Sequence, residues 1–333
     1  MSYRFQKLRR GRWFLLLATS ASLAGPAYAA VVFHNDFDDD AVGVYSVANL
    51  SADWNAPSWN NGVTEGRVAV VDGVQAFAGR SLAVSYPEGG VSSANSGAQW
   101  KLHLGAPYEE LFFSYRVRFD TGFDFVRGGK LPGLIGGVGN TGSKKPDGTD
   151  GWSARMMWRT NGSGGSTTTG STANIVQYVY HPDQPSNFGE DFRWDDGPGG
   201  IWSTFESDRW YHIQHRIVMN TPGVNDGIAQ GWLDGVLVLD EQSIRYRDVV
   251  SLGVDQLYFS TFFGGSSSEW APSKEETIFF DDFTVATTFV QEPASPLPSL
   301  GPLGMATLFG LLGFAGYWKL TRQGVEKRVG VRR

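Results

Sequence analysis

Gly231-Trp232-Leu233-Asp234-Gly235-Val236-Leu237-Val238 is the stretch from which the fold can be read. Asp-Gly between two apolar runs is the favoured two-residue hairpin turn, because both central positions require positive φ. The stretch therefore predicts two antiparallel strands, at 227–233 and 236–240. Further runs rich in β-branched and aromatic residues lie at 31–37, 67–71, 81–86, 99–104, 111–119, 152–159, 175–180, 211–219, 256–263 and 279–285. Gly-, Pro- and Asn-rich segments separate them, and no helical apolar period intervenes. Many short strands without alternating helices predict an all-β chain, an antiparallel sandwich or jelly roll of the concanavalin A type, with its first and last strands paired.

The ends of the chain read differently. Arg4, Lys7, Arg9, Arg10 and Arg12 precede an apolar run and Ala27-Tyr28-Ala29, the layout of a secretory signal peptide over 1–29. The jelly-roll domain is expected over 30–290 and a Pro-rich linker over 291–299. A hydrophobic helix follows at 300–318, near the lower length limit for a membrane span, with a basic tail at 319–333 that would stay cytoplasmic. Such a tail resembles bacterial sorting signals, so a sorting protease and at least transient membrane contact are expected partners, and a permanent anchor is the alternative. The protein is expected to be exported, to the periplasm, the cell surface or the medium, and to be a monomer.

Cysteine is absent, so the domain must be stable without disulfides. The chain has 28 basic and 34 acidic side chains; setting aside five basic residues in the leader, and six basic and one acidic in the tail, leaves 17 against 33. That balance excludes a globally basic nucleic-acid binder. Any attraction for an anion must be local. The densest basic region is Arg127, Lys130, Lys144, Lys145, Arg155 and Arg159.

Within that region, strand periodicity puts Ser153, Arg155 and Arg159 on one face and Tyr178 and Tyr180 on one face. No metal motif of His, Cys or EF-hand type is present, no Gly-x-Ser-x-Gly elbow surrounds Ser153, and no Glu-x-Asp-x-x-Glu strand supplies glycosidase carboxylates, although Glu190 and Asp191 are available. A structural calcium at Asp36, Asp38, Asp39 and Asp40 with Asp281 and Asp282 is the one cofactor the sequence suggests, against the ordinary reading of solvated acids. The remaining kit of cations, a serine and phenols suits β-elimination on an acidic polysaccharide. The C6 carboxylate must be neutralised as an enediolate develops, which a permanently charged Arg155 fork can do. The C5 proton must be taken and the C4 oxygen protonated, and Tyr178, Tyr180 and Lys130 are candidates for both. A nearby guanidinium would lower a phenol's pKa toward that task. Arg159, His181, Gln214 and Arg216 are candidate substrate-binding residues on the same or neighbouring strands.

Gly128-Gly129-Lys130-Leu131-Pro132-Gly133-Leu134, the block from Gly151 to Arg159, Tyr178-Val179-Tyr180-His181-Pro182-Asp183-Gln184, Asn220-Thr221-Pro222-Gly223, the block from Asp226 to Gly235, and Ser260-Thr261-Phe262-Phe263-Gly264-Gly265 together resemble polysaccharide lyase family 14. The resemblance runs from about 33 to 285 and implies a β-jelly roll with a concave groove that cleaves a polyuronate, alginate or glucuronan. It carries the family's lysine, serine, arginine and two tyrosines onto Lys130, Ser153, Arg155, Tyr178 and Tyr180, the cations handling the carboxylate and a tyrosine serving as base, acid or both. The Gly/Ser/Thr-rich insertion at 161–174 departs from the family pattern and reads as a flexible loop or a lid. The alternative from another class is a non-catalytic carbohydrate-binding module of the same fold.

Overall fold

The Asp-Gly turn closes as its chemistry requires: Asp234 and Gly235 have φ of 50° and 81°, and Leu233 pairs with Val236 across it. The Asp234 carboxylate also accepts from the His212 backbone N–H at 2.8 Å, tying the hairpin to the next strand. The computed structural model describes residues 30–160, 172–195 and 200–291. The expected leader, the apolar segment, the basic tail and most of the 161–174 insertion lie outside the described residues. Among the described residues no helix is long and apolar enough to cross a membrane.

Among the described residues sixteen strands follow in chain order: β1 Val31–Asn35, β2 Gly43–Val44, β3 Val68–Asp72, β4 Arg80–Tyr86, β5 Ala98–Tyr108, β6 Glu110–Phe119, β7 Gly128–Gly137, β8 Gly151–Arg159, β9 Thr172–Tyr180, β10 Glu190–Arg193, β11 Thr204–Glu206, β12 Trp210–Val218, β13 Gly227–Leu233, β14 Val236–Ile244, β15 Val254–Phe263 and β16 Glu276–Ala286. They form two antiparallel sheets, ordered β14-β13-β12-β6-β16-β4-β3-β2 with β1 on β16, and β10-β9-β8-β7-β15-β5 with β11 on β9. The first and last strands pair, Phe33 opposite Val285. The fold is an antiparallel β-jelly roll.

Alternation decides which side chains fill the space between the sheets. On β8, Trp152, Ala154, Met156 and Trp158 enter the shared core; on β12, Tyr211, Ile213 and Ile217 enter it from the other sheet. His215 goes in with them, wholly buried against Phe113 at 5.2 Å. An aromatic network centred on Trp54, Trp100, Phe259 and Phe283 fills one end, with Trp100 and Phe259 stacked at 3.9 Å. Burying each such ring contributes on the order of 2 kcal/mol or more, which is how a chain without disulfides holds together.

Strand β7 was not expected, since Gly128, Gly129, Gly133, Gly136 and Gly137 read as loop. Its glycines serve close packing. A Cβ on Gly133 would lie 2.2 Å from the Ala154 carbonyl oxygen, and one on Gly129 2.1 Å from the Trp158 ring. Pro132, which has no N–H to give a ladder, sits where the β7–β8 register shifts between Leu131 and Gly133. Strand β9 starts at Thr172, inside the stretch expected to be loop.

The acidic run near the termini is used internally. Asp38 accepts from the Arg80 backbone at 2.7 Å and Asp281 from Ser81 Oγ at 2.6 Å. Among the described residues no three His, Asp or Glu side chains converge as metal ligands.

Candidate active site

The site lies on the outer face of the β10-to-β5 sheet, the face left over when even-numbered β8 residues fill the core. A cleft of about 870 Å³ opens there, lined by Lys130, Arg155, Arg159, Tyr178 and Tyr180 together with Gln99, Tyr258, Trp59 and Trp270. Register explains the convergence. Lys101, Tyr258, Gly133, Arg155, Tyr178 and Asp191 are consecutive partners on β5, β15, β7, β8, β9 and β10, a single row across six strands. Gly133 leaves an open step in that row between Tyr258 and Arg155.

Arg155 is 2 % exposed. Its Nη1 donates to Ser260 Oγ at 3.2 Å, its guanidinium lies 5.3 Å from the Tyr258 ring centroid, and its Nε has no partner. A buried guanidinium without a carboxylate carries donors that a bound anion can satisfy. Lys130 is as poorly supplied. Its ammonium meets the Met157 sulfur at 2.9 Å, a weak acceptor, and stands 4.3 Å over the Tyr178 ring. Burial first, then the Arg155 and Arg159 charges, pull its pKa well below that of an ordinary lysine, with Asp191 pulling the other way.

Tyr178 and Tyr180 stand edge to face, centroids 5.4 Å apart, hydroxyls at 3.4 Å. The expectation that guanidinium groups would lower a phenol is corrected for Tyr178. Desolvation and the neighbouring Tyr180 outweigh Arg155 and Arg159, and its pKa is raised. Tyr180 is held from behind by Gly189, where a Cβ would come within 2.8 Å of the ring.

The other candidates separate by place. Arg159 lines the cleft but is engaged with Asp191, Nε at 3.0 Å and Nη2 at 3.2 Å. Ser153 faces the same side as Arg155, yet it is fully buried and its hydroxyl donates to the Asn140 carbonyl at 2.7 Å, which makes it a support beneath the cleft. His181 does not line the cleft; it bonds Glu190 at 2.8 Å near Phe192. Gln214 and Arg216 lie on β12 in the opposite sheet. Gln214 accepts from the Val290 N–H at 2.8 Å and Arg216 pairs with Glu110 at 2.6 Å. Their placement away from the cleft reflects the non-local pairing of β12 with β6. Tyr258, Ser260, Trp59 and Trp270 were missed; Ser260 lay in a quoted block, and a period-2 reading of 256–263 would have put it on one face with Tyr258.

The cleft is aromatic-edged, and its buried Arg155 and Lys130 present donors that an anion can satisfy. The chain belongs to polysaccharide lyase family 14: the family pattern Polysaccharide lyase 14 matches residues 75–283. Among solved structures, alginate lyase Aly36B is similar at 27 % identity and TM-score 0.62, covering 78 % of this chain and 98 % of that one. A doubly substituted variant of that enzyme is in complex with alginate tetrasaccharide, at 27 % identity, TM-score 0.63 and coverage of 78 % and 98 %. The marine PL-14 alginate lyase from Aplysia kurodai is similar at 22 % identity and TM-score 0.60, covering 78 % of this chain and all of that one. None of the curated proteins matches the chain. The protein is thus a polysaccharide lyase by family.

Proposed function

We propose that the protein cleaves a polyuronate of the alginate class by β-elimination and that Lys130, Arg155 and the Tyr178–Tyr180 pair perform the chemistry. The observation that carries this reading is the pair of buried cations, Arg155 and Lys130, that line the cleft beside two phenols, neither forming a direct ion pair among the described residues. The alginate tetrasaccharide bound by the similar Aly36B variant supports alginate as the substrate class.

In the elimination, Arg155 receives the C6 carboxylate and stabilises the enediolate as the C5 proton leaves, aided by the low dielectric of the cleft floor. Environments that push two titratable groups apart divide the acid and base work. Lys130 is pushed down, so its amine is neutral over more of the working pH range and takes the C5 proton. Tyr178 is pushed up and remains a phenol; with Tyr180 it delivers a proton to the C4 oxygen as that bond breaks. This assignment takes the lysine from the carboxylate-handling role that the family resemblance implied to the base role for which it was also a candidate. The basic leader at 1–29 supports export to where such polymers occur.

The test is ultraviolet absorbance of the unsaturated uronate during digestion of alginate and of polyglucuronate. Wild-type protein should generate it on alginate, and Arg155→Ala should lose on the order of 10²-fold or more in kcat/KM. Polymer binding with no unsaturated product on either substrate would instead leave a carbohydrate-binding protein.

A further inference from the structure

Asp191 stands out because it is an acid set against the cations and phenols that line the cleft. It sits on β10 directly opposite Tyr178, its carboxyl side chain only 5 % exposed. It engages Arg159 through Nε at 3.0 Å and Nη2 at 3.2 Å. Arg159 in turn lies 5.5 Å from the Tyr178 ring, and the Lys130 ammonium stands 4.3 Å from the same ring. A carboxylate, a guanidinium, a phenol ring and an ammonium therefore form one buried cluster. The charges acting on Lys130 are Arg155 and Arg159 from β8 and Asp191 from β10, with the Tyr178 ring of β9 beneath its ammonium; Tyr180 and Tyr258 line the same cleft, and Glu190 acts on Asp191. On the loop after β15, Glu269 is already paired with Arg127 at 2.8 Å.

A lysine that serves as base has two requirements that conflict. It must lose its proton near the working pH, which burial and guanidinium neighbours favour, and it must still bind the substrate's proton strongly enough to remove it. Two guanidinium groups and a dry site, unopposed, would satisfy the first and defeat the second. Asp191 is the carboxylate of this cluster, held through Arg159 against the Tyr178 ring on which the Lys130 ammonium stands, and its negative charge opposes that of the two guanidinium groups on Lys130. We propose that Asp191 is a positioning residue of this cleft, clamping Arg159 beside Tyr178 and supplying the countercharge that keeps Lys130 basic enough to take the C5 proton. The inference rests on Lys130 acting as the base, as proposed above.

Two substitutions should act in opposite directions. Asp191→Asn removes the countercharge and should move the acid limb of the kcat/KM profile on alginate about one pH unit lower. Arg159→Gln removes a cation and releases the carboxylate to Lys130, and should move the same limb about one unit higher. Asp191→Glu should restore the limb. A merely structural role predicts a uniform fall in rate with the limb in place, and that result, or a shift of both variants in one direction, would overturn the proposal. A second measurement follows the Lys130 side-chain carbon resonance with pH in the three proteins, assigned by its loss in Lys130→Arg. Opposite displacements there support the countercharge role even if no polyuronate is cleaved, which separates it from the lyase reading. Displaced resonances with an unmoved rate limb would show that Lys130 is not the base.

Discussion

Lys130 and Arg155 look interchangeable as cations but differ in what their surroundings let them do. Arginine stays charged in a dry site, whereas a lysine given only a thioether and a ring face gives up its proton readily. Lys130→Arg places a permanently charged group that cannot take a proton, so it is expected to bind alginate with a near-normal Kd and lose on the order of 10²- to 10⁴-fold in kcat. Retained turnover would return Lys130 to carboxylate neutralisation. Tyr180→Phe should likewise lower kcat while preserving binding, measured as single-turnover rate against polymer affinity. The matched residues were legible because period-2 alternation assigns Ser153, Arg155 and Arg159 to one face and Tyr178 and Tyr180 to one face. Sequence could not show that Ser153 would be capped by the Asn140 carbonyl, or that burial would outweigh guanidinium at Tyr178. Those outcomes depend on what covers each side chain.

At the level of elements, the hairpin from Gly231 to Val238 was legible and β7 was not, and glycine explains both. In the hairpin, Gly235 adopts φ of 81° with nothing within 4 Å of a Cβ. In β7, Gly133 keeps two strands close, with the Ala154 carbonyl at 2.2 Å and the Arg155 Cα at 2.5 Å from a Cβ. Local composition signals the first use, whereas the second is visible only once the neighbouring strand is known. Gly133→Ala should cost about 1–3 kcal/mol in denaturant unfolding and also depress kcat/KM, because it pushes on the backbone that carries Arg155. Gly235→Ala should cost about 1 kcal/mol and leave kcat/KM unchanged. Gln214 and Arg216 lie away from the cleft for a related reason. Their alternation on β12 was right, but which sheet β12 joins is decided by its pairing with β6, roughly a hundred residues earlier.

Across the whole molecule, the core contains a titratable group that the cleft does not use. Burial lowers the pKa of His215 to about 3, whereas an unfolded histidine titrates near 6.5. Between those values the unfolded chain binds the additional proton, so this group makes stability fall as pH drops from about 6.5 toward about 3, by on the order of 5 kcal/mol at most. Asp281 acts in the opposite sense. Burial pushes its pKa up to about 7, so its contribution declines as pH rises from about 4 to about 7. His215→Phe should flatten the acid side of the unfolding free-energy profile, and a wild-type slope remaining in the variant would assign acid lability elsewhere.

The pairing of β1 with β16 has one more consequence. The Thr287 N–H donates to the Ala30 carbonyl at 3.1 Å, so residues 30 and 287 lie side by side on the sheet that does not carry the cleft. Joined to a solid support or a fusion partner through either position, the protein would be held by the sheet opposite its cleft, leaving the cleft free of the point of attachment.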